Sequence, residues 1–280
     1  MIIENTKMLA YFDALDKVRY YNMCMDIALA GDDYKVMEVV FFVGHPDGPF
    51  SDYIQVKKYD DSFLLLGVDT QDTGLISECL AYVGEIKDAF DEIEIRTPYT
   101  SVLNHEGLNR QFSMEIPTYP ASPVYYIHSP SELHEIKHNP RACVSRMREE
   151  DKIEIARDVK AGKLDAECMG EDGFRKRTCF QDMIWYILRV DGDIAGYLRA
   201  ECGYANIYDI GWLYVEERYR RNGYATELAS WFSHDIFDSG AIPHYGFAIS
   251  KESALVAEKC GYQCNRAQQL CRTLKAKTEK

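Results

Sequence analysis

The sequence predicts a mixed α/β protein made of two domains, and three observations support this. The chain has 280 residues, which is about twice the length of a common single domain. Hydrophobic residues make up 46% of the chain and charged residues 28%, which is typical of a folded globular protein and excludes wholesale disorder. Segments with strand-like alternation and segments with helical spacing also follow one another along the whole chain.

The N-terminal half contains a long helical pattern followed by strands and a second helix. Leu9, Phe12 and Leu15 recur near helical spacing, which predicts one amphipathic helix over residues 5–29. The other predicted elements of this half are strands at 35–43, 52–58 and 62–68, a helix at 74–90 and a strand at 92–96. Prolines at 120, 123, 130 and 140 then interrupt the pattern, so the predicted domains are 1–135 and 136–280.

The C-terminal half repeats this order of elements. Its predicted elements are a strand at 144–147, a helix at 148–162, strands at 183–190, 194–202 and 207–215, a helix at 222–238, a strand at 243–249, a helix at 250–259 and a last strand that ends near Leu270. The succession of strand, helix and strand between residues 63 and 96 matches the succession that begins at Ile207, although the residues differ. The sequence therefore predicts two tandem domains of related topology.

The acidic excess of the chain is confined to its N-terminal half. Residues 1–139 contain 23 Asp/Glu and 10 Lys/Arg, whereas residues 140–280 contain 22 of each class. An acidic surface repels phosphates, so we expect no nucleic-acid partner, and the charge suits a cationic substrate or a solubilising role. The nine cysteines are scattered without metal-ligand spacing, so we expect reduced thiols, no metal and a cytoplasmic location. The apolar runs are too short for a bilayer, so we expect no membrane partner.

The segment that follows Val215 has the properties of an anion-binding turn. A predicted strand ends at Val215, and the stretch Arg220-Arg221-Asn222-Gly223-Tyr224-Ala225 then opens a helix. The first turn of a helix exposes unpaired backbone N–H groups and the positive end of the helix dipole. Gly223 and Ala225 lack bulk, so an anion can approach these groups closely. The stretch therefore predicts a cradle for a diphosphate, the alternative being a basic helix start without a ligand.

This stretch resembles the signature of a known family. Arg220-x-x-Gly223-x-Ala225 is similar to the Arg/Gln-x-x-Gly-x-Gly/Ala motif of the GNAT acyltransferase superfamily. Downstream, Ser250-x-x-Ser253 followed by Gly261-Tyr262 resembles that family's Asn-x-x-Ala helix and its Gly-Phe end. The resemblance covers about residues 140–272 and looks closest to the glycine N-acyltransferase-like branch. It implies the GNAT acyl-CoA N-acyltransferase fold, a mixed, splayed sheet with helices on both faces.

The resemblance also implies where the acyl donor, acetyl-CoA, would bind. The donor would lie between the strands at 207–215 and 243–249, and its pantetheine arm would pair with the backbone of Leu213 and Val215. A backbone N–H near Leu213 or Tyr214 would polarise the thioester carbonyl. The residues expected to bind the donor are Leu213, Tyr214, Val215, Arg220, Arg221, Asn222, Gly223, Tyr224, Ala225, Ser250 and Ser253.

Direct transfer to an amine also needs a base for the ammonium proton. In the family this base is usually a glutamate on the fourth strand. The candidates here are Tyr208 and Asp209 on the strand at 207–215, and Glu201 on the strand before it. The alternative to a catalytic role is that Asp209 is only a solvent-exposed charge at the end of its strand.

The acid that would protonate the leaving thiolate departs from the family pattern. The tyrosine that usually supplies this proton falls on Ala257. Tyr262, Tyr245 or Cys260 are the possible substitutes, although each residue type is also common in core packing. The predicted catalytic residues are therefore Asp209, Tyr208 and Tyr262.

The predicted function is an N-acetyltransferase that acts on a small-molecule or peptide amine as a monomer or homodimer. A non-catalytic acyl-CoA sensor or interaction protein on the same fold is the second hypothesis, because Ala257 replaces the usual acid. A nucleotide-sugar or phosphate binder is the third. Asp69 and Asp72 occupy the matching crossing of the N-terminal half and would repel a diphosphate. This half is therefore expected to lack the CoA motif and to shape the acceptor pocket or serve as a scaffold.

Overall fold

A computed structural model describes residues 2–3, 5–31, 36–44, 52–59, 62–117, 123–164, 179–265 and 270–277. The chain divides into an N-terminal unit, made of Met1–Pro123 and Asn265–Lys280, and a C-terminal unit, made of Val124–Cys264. Each unit is organised around its own seven-stranded sheet. The predicted mixed α/β class is therefore confirmed.

The sheet of the N-terminal unit is mixed, with one parallel pair of strands in its interior. Its elements are β1 (Ile2–Ile3), α1 (Asn5–Asp16), α2 (Tyr21–Leu29), β2 (Val36–Val43), β3 (Tyr53–Tyr59), β4 (Phe63–Asp69), α3 (Thr73–Ile86), β5 (Glu92–Thr97), α4 (Thr100–Leu103), α5 (Glu106–Gln111), β6 (Phe112–Glu115) and a last strand at Leu270–Ala276. The predicted strands and the helix at 74–90 are confirmed, with ends shifted by a few residues. The predicted helix over 5–29 is wrong as one element, because a turn at 17–20 separates α1 from α2.

The C-terminal unit has the elements that the sequence predicts, together with one strand from the proline-rich stretch. They are β7 (Val124–Tyr126), β8 (Ala142–Arg146), α6 (Glu149–Lys160), β9 (Asp182–Val190), β10 (Asp193–Tyr204), β11 (Ile207–Val215), α7 (Tyr224–Asp238), β12 (Ile242–Phe247), α8 (Lys251–Cys260) and β13 (Gln263–Asn265). The strand at Leu270–Ala276, which belongs to the N-terminal unit, is β14. The apolar stripe of α7 packs on the sheet through the fully buried Leu228, Phe232 and Ile236.

The two sheets share one strand order. The N-terminal sheet runs β1-β2-β3-β4-β5-β14-β6, and the C-terminal sheet runs β8-β9-β10-β11-β12-β7-β13. In each sheet the fourth and fifth strands are parallel and a helix connects them. This shared strand order agrees with the two tandem domains of related topology that the sequence predicts. Membership of the N-terminal unit in the same family stays a prediction.

In each sheet the sixth strand comes from a segment that lies, by its position in the sequence, in the other predicted domain. β14 follows the C-terminal unit along the chain, yet it pairs with β5 and β6. β7 lies before residue 135, yet it pairs with β12. The structural division therefore falls at Pro123 and Cys264, unlike the predicted boundary at 135. The single strand predicted after Tyr262 is likewise two strands in two sheets.

Gly261 ends α8 at a place where a side chain would collide with the neighbouring backbone. Its φ is +101°, and an added Cβ would lie 2.2 Å from the Glu132 carbonyl oxygen. We expect Gly261→Ala to lower the free energy of unfolding by about 3 kcal/mol, because a left-handed residue with a Cβ costs ~1–2 kcal/mol and the clash adds to it. Urea unfolding of the purified variant measures this loss.

Gly240→Ala is the matched control for that substitution. Gly240 also has a positive φ, +79°, but nothing lies within 4 Å of an added Cβ. This variant should lose only the backbone part, about 1 kcal/mol. Equal losses in the two variants would show that the contact with Glu132 is unimportant.

Candidate functional site

Strands β11 and β12 pair only at their beginnings and then diverge. The parallel register is Ile207 with Ile242, Tyr208 with Pro243 and Asp209 with His244. Beyond Asp209, β11 continues to Val215 and β12 to Phe247 without further pairing in this fully described part of the chain. The two strands therefore leave a gap whose closed end is at Asp209 and His244.

The backbone of β11 presents hydrogen-bonding groups to this gap. Glu216 donates its N–H to the Ala195 carbonyl at 2.9 Å, so residue 216 faces β10. Successive residues of a strand turn their N–H and C=O groups to opposite sides. The N–H and C=O groups of Val215 and Leu213 therefore face the gap. A bulge at Gly211 shifts the register against β10 just before this stretch.

The turn between β11 and α7 is wound tightly by two left-handed residues. Arg221 has a φ of +64° and Gly223 a φ of +83°. All of residues 179–265 are described, and the N–H groups from Arg221 to Thr226 donate no hydrogen bond to any residue that the structure describes. Nothing lies within 4 Å of a Cβ built on Gly223. The turn thus offers a set of open donors at the positive end of a helix.

Two side chains of the predicted motif stabilise the turn itself. Arg220 donates from Nε to the Val215 carbonyl at 2.8 Å, which ties the turn to the end of β11. Asn222 donates from Nδ2 to the carbonyls of Tyr219 and Arg220 at 3.2 and 3.0 Å. Tyr224 is buried, whereas Arg221 is exposed. Arg220 is exposed as well, so the charges of both arginines are available to an anion.

In the N-terminal unit, N–H donors at the start of the matching helix, α3, already have an acceptor within the chain. Asp72 caps α3, and its Oδ1 accepts from the N–H groups of Gly74 and Leu75 at 2.8 and 3.0 Å. Its carboxylate therefore occupies the donors that stay open before α7. The sequence-based expectation that an aspartate opposes diphosphate binding in this half has a direct structural reason.

A surface pocket of about 450 Å³ lies beside the open turn. Its lining residues are His134, Glu135, Ile136, Lys137, Asn139, Asn222, Gly223, Thr226, Glu227 and Lys259. The Glu227 carboxylate already accepts from the Asn139 N–H at 3.3 Å and lies 3.2 Å from His138 Nδ1. Lys137 and Lys259 add two positive charges to the lining, and Glu135 and Glu227 add two negative charges.

The two serines predicted to contact the donor have partners inside the unit. Ser250 caps α8 by accepting from the Ser253 N–H at 3.0 Å. Ser253 Oγ lies 2.9 Å from the hydroxyl of Tyr245. Burial raises the pKa of Tyr245 to about 12. These contacts give both serines a structural role at the start of the helix.

The two predicted catalytic tyrosines are also held by neighbours. Tyr208 donates its hydroxyl to Asp182 at 2.8 Å, and burial together with this carboxylate raises its pKa. Tyr262 is 4% exposed and lies 2.7 Å from Ser233 Oγ. Burial raises the pKa of Tyr262 well above its usual value. Tyr262 is thus a core residue, and Tyr208 is engaged with Asp182.

Asp209 is not the solvated strand-end charge that the sequence left as an alternative. Its side chain is 13% exposed, and its Oδ1 lies 2.7 Å from Nδ1 of the fully buried His244. Its other oxygen, Oδ2, would lie 2.5 Å from a Cβ on Gly246. The carboxylate therefore sits over a glycine at the closed end of the gap. Sequence reasoning missed His244, since no spacing reveals that a residue 35 positions away pairs with Asp209.

A family model matches the same part of the chain. The model of the acetyltransferase (GNAT) family covers residues 123–262, half of the chain. The chain belongs to the GNAT acetyltransferase family. It is therefore an acyltransferase built on the GNAT fold, with a mixed sheet that opens between β11 and β12.

Solved structures share the fold of this GNAT protein at low identity. A GCN5-related N-acetyltransferase from Kribbella flavida is 12% identical with a TM-score of 0.50, covering 81% of this chain and 87% of that structure. A Drosophila protein is 12% identical with a TM-score of 0.51, covering 99% and 97%. No curated protein matches the chain significantly.

The described residues add two findings on metals and membranes. No group of three or more His, Cys, Asp or Glu side chains among them is arranged to hold a metal ion. Every helix within the described ranges is too short or too polar to cross a lipid bilayer.

Proposed function

We propose that the protein transfers an acetyl group from acetyl-CoA to an amine. The observation that carries this proposal is the open turn at Arg221–Thr226, placed directly after the strand that borders the gap. An extended arm pairing with Leu213 and Val215 would lead from the gap to these donors. A GNAT enzyme needs both features to hold an acyl-CoA, and one stretch of chain supplies them.

The pocket beside Gly223 fits the nucleotide end of the same donor. Lys137 and Lys259 line it, and ammonium groups bind phosphate oxygens well. Arg221, which precedes the lining residue Asn222 in the chain, is exposed. We expect the diphosphate to accept from the amides between Arg221 and Thr226, which have the free donors that a phosphate oxygen needs.

The chemistry in this proposal is a direct attack of the amine on the thioester. Bound acetyl-CoA supplies the activated acyl group. A gap-facing N–H near Leu213 would stabilise the oxyanion as charge develops on the carbonyl oxygen. Asp209 is the best placed of the three predicted catalytic residues to take the ammonium proton, because the hydroxyls of Tyr208 and Tyr262 are bonded to Asp182 and Ser233, whereas the contact of Asp209 with His244 involves only its Oδ1.

One observation favours the second hypothesis, a non-catalytic acyl-CoA binder. Ala257 stands where the family usually has its acid, and it is fully buried. Cys260 and Tyr262 are buried in the same core, and burial raises the pKa of the Cys260 thiol to about 12. The thiolate would then have to take its proton from the amine or from water. The acceptor, the oligomeric state, the cytoplasmic location and the glycine N-acyltransferase-like branch stay predictions.

Calorimetry and a thiol-release assay together separate these hypotheses. Titration with acetyl-CoA tests the donor site, and a panel of primary amines and amine-bearing peptides tests transfer. Binding with thiol release supports the acetyltransferase. Binding without release on any amine supports the sensor, and competition by nucleotides without CoA affinity supports the phosphate binder.

The affinity for acetyl-CoA should fall as salt rises. The Debye length shrinks from about 10 Å at 0.1 M to about 3 Å at 1 M salt, so the attraction of Arg221, Lys137 and Lys259 for phosphates weakens. We expect about a fivefold loss of affinity across this range, measured by calorimetry. Acetyl-pantetheine, which lacks the nucleotide phosphates, is the control, and an equal salt response of the two ligands would contradict the assignment.

A further inference from the structure

The segment between β7 and β8 crosses the helices of the C-terminal unit. β7 is the sixth strand of its sheet and β8 is the first, so the chain has to pass from one side of the sheet to the other. It passes α8, where the His134 N–H donates to the Cys260 carbonyl at 3.1 Å, and then α7, where the Asn139 N–H donates to Glu227 Oε1 at 3.3 Å. We call residues 134–139 the strap. The proline-rich stretch that interrupts the sequence pattern therefore runs beside the open turn.

Each end of the strap is held by a backbone contact and a side-chain contact. At α8, Nδ1 of His134 also lies 3.2 Å from the Lys259 carbonyl oxygen. At α7, Asn139 also donates from Nδ2 to the hydroxyl of Tyr224 at 3.2 Å. The strap thus connects the last turn of α8 to the first turn of α7, and residues of all three line the pocket of about 450 Å³.

Glu227 holds the strap on α7. Its side chain is only 6% exposed, and a buried carboxylate needs hydrogen-bond donors. Among the residues that the structure describes, the partners of this carboxylate are the Asn139 N–H at 3.3 Å and His138 Nδ1 at 3.2 Å. Both partners belong to the strap. Glu227 and the strap therefore hold each other in place beside the open turn.

Two lysines line the pocket from different elements. Lys137 lies on the strap and Lys259 in the last turn of α8, and both are exposed. Of the two carboxylates in the lining, that of Glu227 is offset by its donors on the strap, which leaves Glu135 to oppose an anion. The lysines outnumber this carboxylate, and the N–H donors of the open turn add to the same side of the balance. The pocket therefore suits an anionic group.

Acetyl-CoA carries a third phosphate besides its diphosphate, a monoester on the 3′ oxygen of the ribose. A phosphate monoester holds about 1.5–2 negative charges at neutral pH. With the diphosphate on the open turn, the ribose comes next along the ligand, and Gly223 and Thr226 belong both to the turn and to the pocket lining. The 3′-phosphate is therefore the anionic group within reach of the two lysines.

We infer that Lys137 and Lys259 bind the 3′-phosphate of acetyl-CoA, with Glu227 as the residue that positions the strap. This inference rests on the proposed function and adds a subsite and a positioning residue to it. The subsite would distinguish CoA from donors that lack the 3′-phosphate, because ammonium groups form charge-assisted hydrogen bonds with phosphate oxygens.

Acetyl-dephospho-CoA, which lacks only the 3′-phosphate, tests the subsite by calorimetry. The wild-type protein should bind it about tenfold more weakly than acetyl-CoA, since two partly exposed charge-assisted contacts are lost. Lys137→Ala and Lys259→Ala should each lower the affinity for acetyl-CoA about threefold. Neither should change the affinity for acetyl-dephospho-CoA, because the lysine then has no phosphate to bind. Lys251→Ala is the matched control, since Lys251 is an exposed lysine of α8 outside the pocket lining.

Two substitutions of Glu227 separate positioning from simple repulsion. Glu227→Gln keeps an oxygen that accepts from the Asn139 N–H, so its affinity for acetyl-CoA should equal or exceed that of the wild type. Glu227→Ala releases the strap, so its affinity for acetyl-CoA should fall about fivefold, the loss of roughly one hydrogen bond, while acetyl-dephospho-CoA binds as before. Removal of a repelling charge would instead raise the affinity of both variants. An unchanged affinity of Glu227→Ala would overturn the positioning role.

Two further measurements on the Glu227 variants report folding and the strap itself. Thermal unfolding shows whether each variant folds. Amide hydrogen exchange at Asn139 should be faster in Glu227→Ala than in Glu227→Gln, because only the alanine removes the acceptor of this N–H. Equal exchange in the two variants would contradict the anchoring contact.

The outcomes for the inference and for the proposed function differ. Equal affinities of the wild type for the two ligands would overturn the inference alone. A preference for acetyl-CoA that survives both lysine substitutions would overturn the assignment of the 3′-phosphate to this pocket. A wild-type protein that binds neither ligand would overturn the proposed function, and the inference with it. A preference that falls in both lysine variants but not in Lys251→Ala supports both.

Discussion

Gly223→Glu should reduce the binding of acetyl-CoA below detection. The substitution puts a carboxylate next to the N–H donors of Arg221–Thr226, where we expect the diphosphate to bind. It also adds a side chain at a residue with a φ of +83°. Repulsion between the carboxylate and the two phosphates opposes the attraction of the helix start. We expect at least a 100-fold loss of affinity, about 2.7 kcal/mol, by calorimetry.

Gly223→Ala is the matched control, because it imposes the same backbone strain without charge. A left-handed alanine costs ~1–2 kcal/mol of stability, while nothing lies within 4 Å of the added Cβ. Its affinity for acetyl-CoA should fall less than tenfold. If Gly223→Ala and Gly223→Glu weaken the binding of acetyl-CoA equally, the backbone conformation of residue 223 determines the affinity. If neither substitution weakens binding, the diphosphate binds elsewhere.

Removal of β14 should unfold the N-terminal unit. This strand lies between β5 and β6 and buries Cys271, Thr273 and Leu274. Burying one apolar side chain contributes about 1.5–3 kcal/mol. The ladders on both sides of the strand are lost as well, so the total reaches the ~5–15 kcal/mol that holds a whole domain.

A chain that ends at Asn265 tests this prediction, and a chain that ends at Lys277 is the control. Amide hydrogen exchange should show loss of protection in β4, β5 and β6 of the shorter chain, while β9 to β11 stay protected. A peptide with the sequence of residues 266–280, added in trans, should restore part of the protection. Unchanged exchange in β5 would contradict the pairing.

Local patterns predicted most elements of the fold, but not which strands pair with each other. The apolar runs at 183–190 and 207–215 mark buried strands wherever the strands lie, since burial needs apolar side chains in any sheet. The strand at Leu270–Ala276 shows an ordinary strand pattern, yet nothing in that pattern specifies β5 and β6 as its neighbours. The proline-rich stretch likewise concealed β7, which is only three residues long.

The candidate site was predictable where one continuous stretch of chain builds it. Arg220 to Ala225 are consecutive, and the chemistry of a helix start follows from local sequence. Asp209 and His244 come together through the register of parallel strands, and Glu201 joins them across a bulged pair. These contacts depend on which strands pair and in which register. From the sequence, Asp209 and Glu201 were therefore separate candidates for the catalytic base, and His244 was interpreted as a packing residue.

The position of β14 in its sheet has a consequence for synthesis on the ribosome. The N-terminal unit is translated first, but its sheet lacks an interior strand until residues 270–276 have emerged. All strands of the C-terminal sheet are complete once residue 265 has been made. The half of the protein that is made first is therefore the half that is finished last, and its unpaired β5 and β6 edges are open to chaperones or to other nascent chains during that interval.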